Sequence, residues 1–530
     1  MDSNKVKLLI HTVKYLRFKQ VYYRLYYFIR HKFFKKTYDK QLQINIEPLV
    51  WDNFFHYQNS FSEHNTFTFL NISHQFDSDI DWNFNEHGKL WAYNLNYFEY
   101  LNQETLSKED GLKLIKDYVK NDTHLKDGKE PYPISLRGIN WIKFLSTHKI
   151  SDKEINQYLY NHYQLLSHNL EYHLLGNHLL ENGYALLFGA YYFKDGVLYK
   201  KAKHILLEEL KEQVLSDGAH FELSPMYHQI LLHRLLDCIN LIKKNPQKED
   251  ELFPFLIKTA VKMLSWLQVV TYKNGNIPMV NDSAYGIAAE SKKLFAYAES
   301  LNLQWKKALL SDSGYRKIEN NIYELFLDVG HVGPKYQPGH AHSDTFSFEL
   351  YVNEKPIIVD TGVSTYEKNE QRQIERSTAS HNTVKIGDYE QTDVWGGFRV
   401  AKRAKIIKLK ESEGLIEASH DGYKKLNILH TRSFSAKKEG IEINDSLSAS
   451  SQNINKSYLH LHHSIEKLVN IGNTIKLINE NITISFSEEV SKIDIIDYHF
   501  PLGYNKIKKA KKIEVSFGNA LKTEIDISKI

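Results

Sequence analysis

The spacing of apolar positions changes once along this 530-residue chain, near residue 318. Before that point apolar residues recur every three or four positions through 154–174, 178–193, 200–215, 226–243 and 253–272, the repeat of amphipathic helices. Short polar breaks such as Lys194-Asp195-Gly196 and Asp217-Gly218 separate the runs. Consecutive antiparallel helices of this length predict a helical array or an (α/α) toroid over 85–316. Beyond the change the period is two. Tyr323–Val329 opens it, and strand patterns follow at 346–352, 356–360, 381–386, 404–409, 415–419, 431–436, 441–447, 474–477, 482–485 and 512–516. Many short strands with turn residues between them predict an antiparallel β-sandwich over 317–530. Clefts between two such domains are preferred ligand sites.

Residues 1–84 read differently. A helix is expected over 4–36, its apolar positions Leu8, Leu9, Val13, Leu16, Val21, Leu25, Phe28 and Ile29 interleaved with Lys14, Arg17, Lys19, Arg24 and Arg30. We expect this helix to pack on the following domain; peripheral contact with an anionic membrane surface is the competing reading. Residues 40–84 are polar, aromatic and irregular, as in a connector wrapped around its neighbour.

Composition adds limits. The chain is 42% hydrophobic and 13% aromatic, ample for two cores. Its net charge is only +4, but residues 1–40 carry eleven Lys or Arg against Asp2 and Asp39, an excess of nine that leaves the remainder at −5. That balance argues against a nucleic-acid binder. Cys238 is the only cysteine, so no intramolecular disulfide forms, and a reducing compartment fits. No apolar run of transmembrane length and no signal peptide is legible, so a cytoplasmic or peripheral inner-membrane location is expected, with the periplasm as the alternative.

The densest chemistry lies in 337–383. Pro338-Gly339-His340-Ala341-His342-Ser343-Asp344 leads into a hairpin that turns at Asn353-Glu354, returns to Asp360 and continues to Ser380-His381-Asn382-Thr383. On a strand His340 and His342 would face one way, and with Asp360 they would suit zinc. Upstream, Leu175-Gly176-Asn177-His178 and Glu181 place a carboxylate three residues from an imidazole on one helix, where it could orient the ring, and add an amide able to donate to an anion. In His220-Phe221-Glu222-Leu223-Ser224-Pro225-Met226-Tyr227-His228, Ser224 and Pro225 read as a cap and first turn, leaving Tyr227 near the helix start.

Taken in order, Asn177–Gly183, Ser224–His228, Gly339–Asp344, Val359–Gly362 and His381–Thr383, with Trp91–Phe98 and Pro131–Arg137 to Asn140-Trp141 upstream, resemble the heparinase II/III family of polysaccharide lyases, which includes alginate lyases. The resemblance spans roughly residues 85–470. It implies an (α/α) toroid followed by an antiparallel β-sandwich, and β-elimination on a polysaccharide containing uronic acid. On these positions Asn177, assisted by His340, would neutralise the substrate carboxylate. Tyr227 would donate to the leaving oxygen, and Tyr227 or His178 would take the C5 proton. Glu181 would orient His178. His342, Asp360 and His381 would hold a Zn2+ ion that braces the β domain. Arg137, Asn140 and Trp141 are candidate sugar-subsite residues, and Tyr366 and Arg376 candidate substrate contacts. The basic, aromatic N-terminus is similar to that of members linked to exopolysaccharide production. Two other readings stay open: a carbohydrate-binding or assembly protein with the same cleft, and a toroid glycoside hydrolase, for which Glu181 and Glu222 are the nearest carboxylates.

Overall fold

The computed structural model describes residues 3–527 except 35, 55, 249 and 452, so those positions, and 528–530, of the expected helix, connector and sheet domain lie outside the described residues. The N-terminal helix is two helices, α1 (Ser3–Val13) and α2 (Phe18–Phe33). The break falls where Arg17 adopts extended backbone and its N–H donates to Gln20 Oε1 at 3.0 Å, starting a new helix. The connector is mostly irregular, with a small sheet (61–62, 66–69 and 72–75) that buries Phe67 and Phe69 in the helical core beside Trp82 and Trp91.

The helical domain comprises α3 (Lys89–Tyr97), α4 (Lys108–Lys120), α5 (Pro131–Thr147), α6 (Lys153–His168), α7 (Gly176–Tyr192), α8 (Gly196–Gln213), α9 (Pro225–Lys244), α10 (Leu252–Val270) and α11 (Ser291–Ser300). Helices α5, α7 and α9 are buried nearly all round and form the inner layer. Helices α4, α6, α8 and α10 bury one face each and form the outer layer, the double ring of an (α/α) toroid. On length and composition alone α10 could cross a bilayer. Here it packs on α9 and buries Leu256, Ala260, Met263, Leu264 and Leu267, as a core helix does. Helix α6 stops six residues short of the expected 174; the turn that follows carries Glu171.

The β domain begins at Tyr315. A four-stranded meander (315–319, 323–328, 348–352, 355–358) turns at Asn353-Glu354, both with positive φ, as the sequence predicts. A second four-stranded sheet orders 490–503, 506–517, 455–460 and 384–386. Both pack on an eight-stranded antiparallel sheet running from 406–412 through 415–420, 430–437, 440–447 and 520–527 to 482–486, 474–477 and 468–471. Leu325, Leu350, Phe434, Ile443, Ile484, Ile513 and Ile525 meet between the layers in one apolar core.

Helices α1 and α2 bridge the two domains. Trp395 Nε1 donates to Thr12 Oγ1 at 3.1 Å, and the Arg403 guanidinium lies 4.1 Å from the Tyr15 ring centre. On the other side Gln20 Nε2 donates to Leu174 O at 3.0 Å and the Tyr27 hydroxyl to Leu170 O at 2.6 Å.

Candidate active site

Three segments converge where the domains meet. The first is the start of α7. Leu175 and Gly176 both take positive φ, and a Cβ on Gly176 would come within 2.8 Å of Glu222 Oε1. Glycine therefore lets Glu222 close on the helix N-terminus, where it accepts from Asn177 N (3.2 Å) and Asn177 Nδ2 (2.8 Å). The next residue, His178, reaches Glu171 Oε1 through Nδ1 at 3.0 Å and leans on the Tyr132 ring. Burial lowers the His178 pKa, but the adjacent Glu171 charge outweighs it and the net shift is upward.

The second segment is the start of α9. Ser224 caps it, accepting from Tyr227 N at 3.3 Å, with Pro225 at the first position, as the sequence predicts. Tyr227 then projects into the cleft. Its hydroxyl lies 3.1 Å from that of Tyr366, and burial pushes the phenol well above its usual pKa.

The third is the loop carrying His340 and His342. It is not a strand, so the period-two argument for their common direction fails. They converge for another reason: both reach the fully buried Asp282, His340 Nδ1 at 2.8 Å and His342 Nε2 at 2.9 Å. Arg372 chelates the same carboxylate, with Nη2 at 2.7 Å from Oδ2. Burial alone would raise the Asp282 pKa; Arg372 and the two histidines override it and hold the carboxyl well below its ordinary value. His340 Nε2 lies 3.4 Å from Glu222 Oε2, and the His340 ring packs on Tyr227 with centroids 4.0 Å apart. Asn177, Glu222, His340, Tyr227 and Tyr366 thus form one continuous array.

Asn177, His340, Tyr227 and Tyr366 of that array, with Glu222 buried behind them, line a cavity of about 1020 Å³ between the toroid, the sandwich and the N-terminal segment, which contributes Leu16, Gln20 and Arg24 to the wall. Seven Lys or Arg residues line it (Arg24, Lys89, Arg234, Lys293, Lys368, Arg399, Arg403) against Glu99, Glu290 and Glu367, an excess suited to an anionic ligand.

Of the expected site residues, Asn177, His178, Tyr227, His340 and Tyr366 line this cavity. The others are placed elsewhere. Glu181 does not orient His178; it turns into the toroid core, where Arg234 Nε donates to it at 3.2 Å and burial pushes it up to about 7. Arg137, Asn140 and Trp141 are almost completely buried and do not line the cavity: Arg137 bonds Asn96 O and His162, and Asn140 bonds Tyr97 O. Arg376 is equally enclosed, donating to Ala341 O and Gly397 O, so it shapes the His340 loop from behind. Sequence reasoning missed Glu171 and Asp282 as partners of the two imidazoles, and Arg372. It had weighed Glu222 only as a hydrolase acid.

His342, Asp360 and His381 are all fully buried, with the imidazole centroids 5.2 Å apart. His342 Nδ1 and His381 Nε2 have no hydrogen-bond partner among the described residues, as two nitrogens awaiting a cation would. Asp360 is otherwise engaged, by His381 Nδ1 at 3.0 Å and by the Ser347 hydroxyl at 2.9 Å. Among the described residues no three His, Cys, Asp or Glu side chains are gathered in metal-binding geometry.

A double-layered helical toroid joined to an antiparallel sandwich, with histidine, asparagine and tyrosine meeting at the seam, places the chain in a toroid-plus-sandwich class of two-domain folds. The profiles "Heparinase II/III N-terminus" and "Heparinase II/III-like, C-terminal" match residues 134–305 and 303–528. The chain belongs to the heparinase II/III family. A heparin-sulfate lyase of Bacteroides stercoris is 25% identical over 324 residues, covering 55% of this chain and 46% of that protein. One from Pedobacter heparinus is 27% identical over 241 residues, covering 40% of this chain and 36% of that protein. The chain thus aligns with less than half the length of these relatives. Among solved structures, a heparinase III superposes with a TM-score of 0.67 at 16% identity, over 90% of this chain and 83% of that one, which shows the shared fold.

Proposed function

We propose that the protein is a polysaccharide lyase cleaving a uronic-acid-containing polysaccharide by β-elimination. The observation that carries the reading is the array Asn177–Glu222–His340–Tyr227 on a basic cavity wall. A C5 proton becomes removable only when the neighbouring carboxylate is neutralised. An amide nitrogen carries two N–H donors, and Asn177 spends one on Glu222, leaving the other for a substrate carboxylate beside His340. Tyr227, held neutral by burial, enters as the proton donor to the 4-linked leaving oxygen. His178, backed by Glu171, lines the same cavity and is the base for one C5 epimer; for the other, Tyr227 is the base only after it has passed its own proton to a neighbouring group, and it then returns the C5 proton to the leaving oxygen.

A glycoside hydrolase fits less well, because Glu181 is locked to Arg234 below the wall and Glu222 is occupied by the α7 terminus. One observation favours a second reading, a catalytically weak carbohydrate-binding or assembly protein: the Glu222 carboxylate stands next to the donors that would have to neutralise a substrate carboxylate. Incubating the protein with a panel of uronate polymers and following the ultraviolet absorbance of unsaturated ends decides between them. Unsaturated product supports the lyase; binding without product supports the second reading.

Zn2+ is retained in the proposal as a brace. The orphaned nitrogens of His342 and His381 support it; Asp360 would be the third ligand on giving up its bond to His381 or Ser347, and no catalytic step passes through the ion. We also assign the activity to exopolysaccharide or capsule metabolism at the cytoplasmic membrane, a reading supported by the basic N-terminal helices. It fails if the protein fractionates away from membranes in its native cell.

A further inference from the structure

Packing and membrane contact were alternatives for the N-terminal helices, but the structure uses opposite faces of α2 for different surroundings. One face carries Gln20, Tyr27 and Arg30, which bond the carbonyls of Leu174, Leu170 and His168. The other carries Phe18, Tyr22, Leu25, Phe28, Ile29 and Phe33, spaced 18, 22, 25, 29, 33 along one stripe with Phe28 at its edge. These side chains touch water: Phe18 is 83% exposed, Phe28 62% and Leu25 59%. Exposed large apolar side chains gathered on one helix face mark a contact surface, whereas scattered ones do not.

Charge identifies the occupant. No acidic residue lies between Asp2 and Asp39, while Lys5, Lys7, Lys14, Lys19 and Lys32 are exposed along the same segment, Lys32 over the Phe28 and Phe33 rings of the stripe itself. An exposed apolar and aromatic stripe on a segment rich in lysine and without acidic residues matches a bilayer whose headgroups are anionic. A second copy of this chain would bring the same positive field and be repelled.

We infer that the outward face of α2 docks on an anionic lipid bilayer while its inward face walls the cavity. Gln20 and Arg24 line the cavity from the other side of the same helix, with Leu16 of the turn before it, so the cavity wall stands about one helix diameter, ~10 Å, from the lipid. The inference rests on exposed side chains and charge, and stands whether or not the cavity is a lyase site.

The test is co-flotation of the full chain with phosphatidylcholine vesicles, with and without phosphatidylglycerol, at low and high salt. The expected result is partitioning onto the phosphatidylglycerol vesicles alone, weakened by salt. The triple variant Phe18→Ser/Leu25→Ser/Phe28→Ser should lose about a hundredfold or more in partitioning, with an unchanged thermal melt because the three side chains contact little. The charge variant Lys7→Glu/Lys14→Glu/Lys32→Glu should lose the preference for the anionic lipid. Absence of partitioning by the parent chain overturns the inference, as does partitioning that the triple variant retains. A parent dimer that the triple variant turns into a monomer, with neither binding vesicles, would assign the face to self-association instead.

Discussion

Replacing Tyr227 by phenylalanine removes one oxygen from the cavity and almost nothing else. Among the described residues the hydroxyl has a single partner, the Tyr366 hydroxyl at 3.1 Å, so stability should fall by about 1 kcal/mol, the worth of one neutral hydrogen bond. The ring keeps its stack on His340, and Ser224 still caps α9. If the phenol protonates the leaving oxygen, its loss should lower kcat by about 10²–10⁴, or ~3–5 kcal/mol of barrier. Substrate binding, which rests on the basic wall and Asn177, should change little, so KM stays near the parent value. The assay is initial rate by absorbance of unsaturated product on whichever polymer the screen selects, with urea unfolding as the control. Because burial holds the phenol well above its usual range, the parent's activity should not fall through tyrosine ionisation at mildly alkaline pH. A variant that keeps parental kcat removes Tyr227 from the chemistry. A variant that loses several kcal/mol of stability instead assigns the hydroxyl to packing.

Glu171→Gln removes the charge that raises the His178 pKa, so if neutral His178 is the base, the acid limb of kcat/KM should move to lower pH; an unmoved limb excludes His178 from that role. Asp282→Asn strands Arg372 without a counter-charge and should destabilise the fold by about 3–5 kcal/mol in urea at neutral pH, and a loss below about 1 kcal/mol would refute the junction. The sign with pH follows from its depressed folded value. Asp282 contributes stability above the ordinary carboxyl range, about 3.9, and that contribution is lost as pH falls through its folded value, so parent and variant stabilities should converge on acidification. If zinc braces the sandwich, elemental analysis should find about one ion per chain, and chelation or His342→Ala should lower the melting temperature; metal-free protein with an unchanged melt rejects the brace.

The architecture was legible because burial in a helix layer or a sheet leaves a repeat in the chain. The 226–243 run, the Ser224-Pro225 start and the Asn353-Glu354 turn all appear where local chemistry places them. The site was legible only in part. Asn177, His178, Tyr227 and His340 sit in recognisable local motifs, but their partners lie far away in sequence: Asp282 is 58 residues from His340 and 90 from Arg372. A buried ion pair has no period, so nothing local announces it. Glu181 shows the converse error. Three residues along a helix make neighbours on the surface, yet here that position is rotated toward α9, and Arg234 claims the carboxylate. Arg137, Asn140 and Trp141 misled for a similar reason: α5 is an inner helix, polar residues on it are consumed by the surrounding core, and only its first turns approach the cavity.

Asp282 has a consequence for how the site comes to be assembled. It belongs to the loop between α10 and α11 of the helical domain, yet it grips a histidine pair and an arginine that emerge only later in synthesis. A ribosome-bound chain that has finished its rings but not its sheets has an open groove with no imidazole held opposite the tyrosine. The site is therefore completed only when the last-made half seats against the first, and a cut that lets the halves separate takes Asp282 away from both histidines and from Arg372.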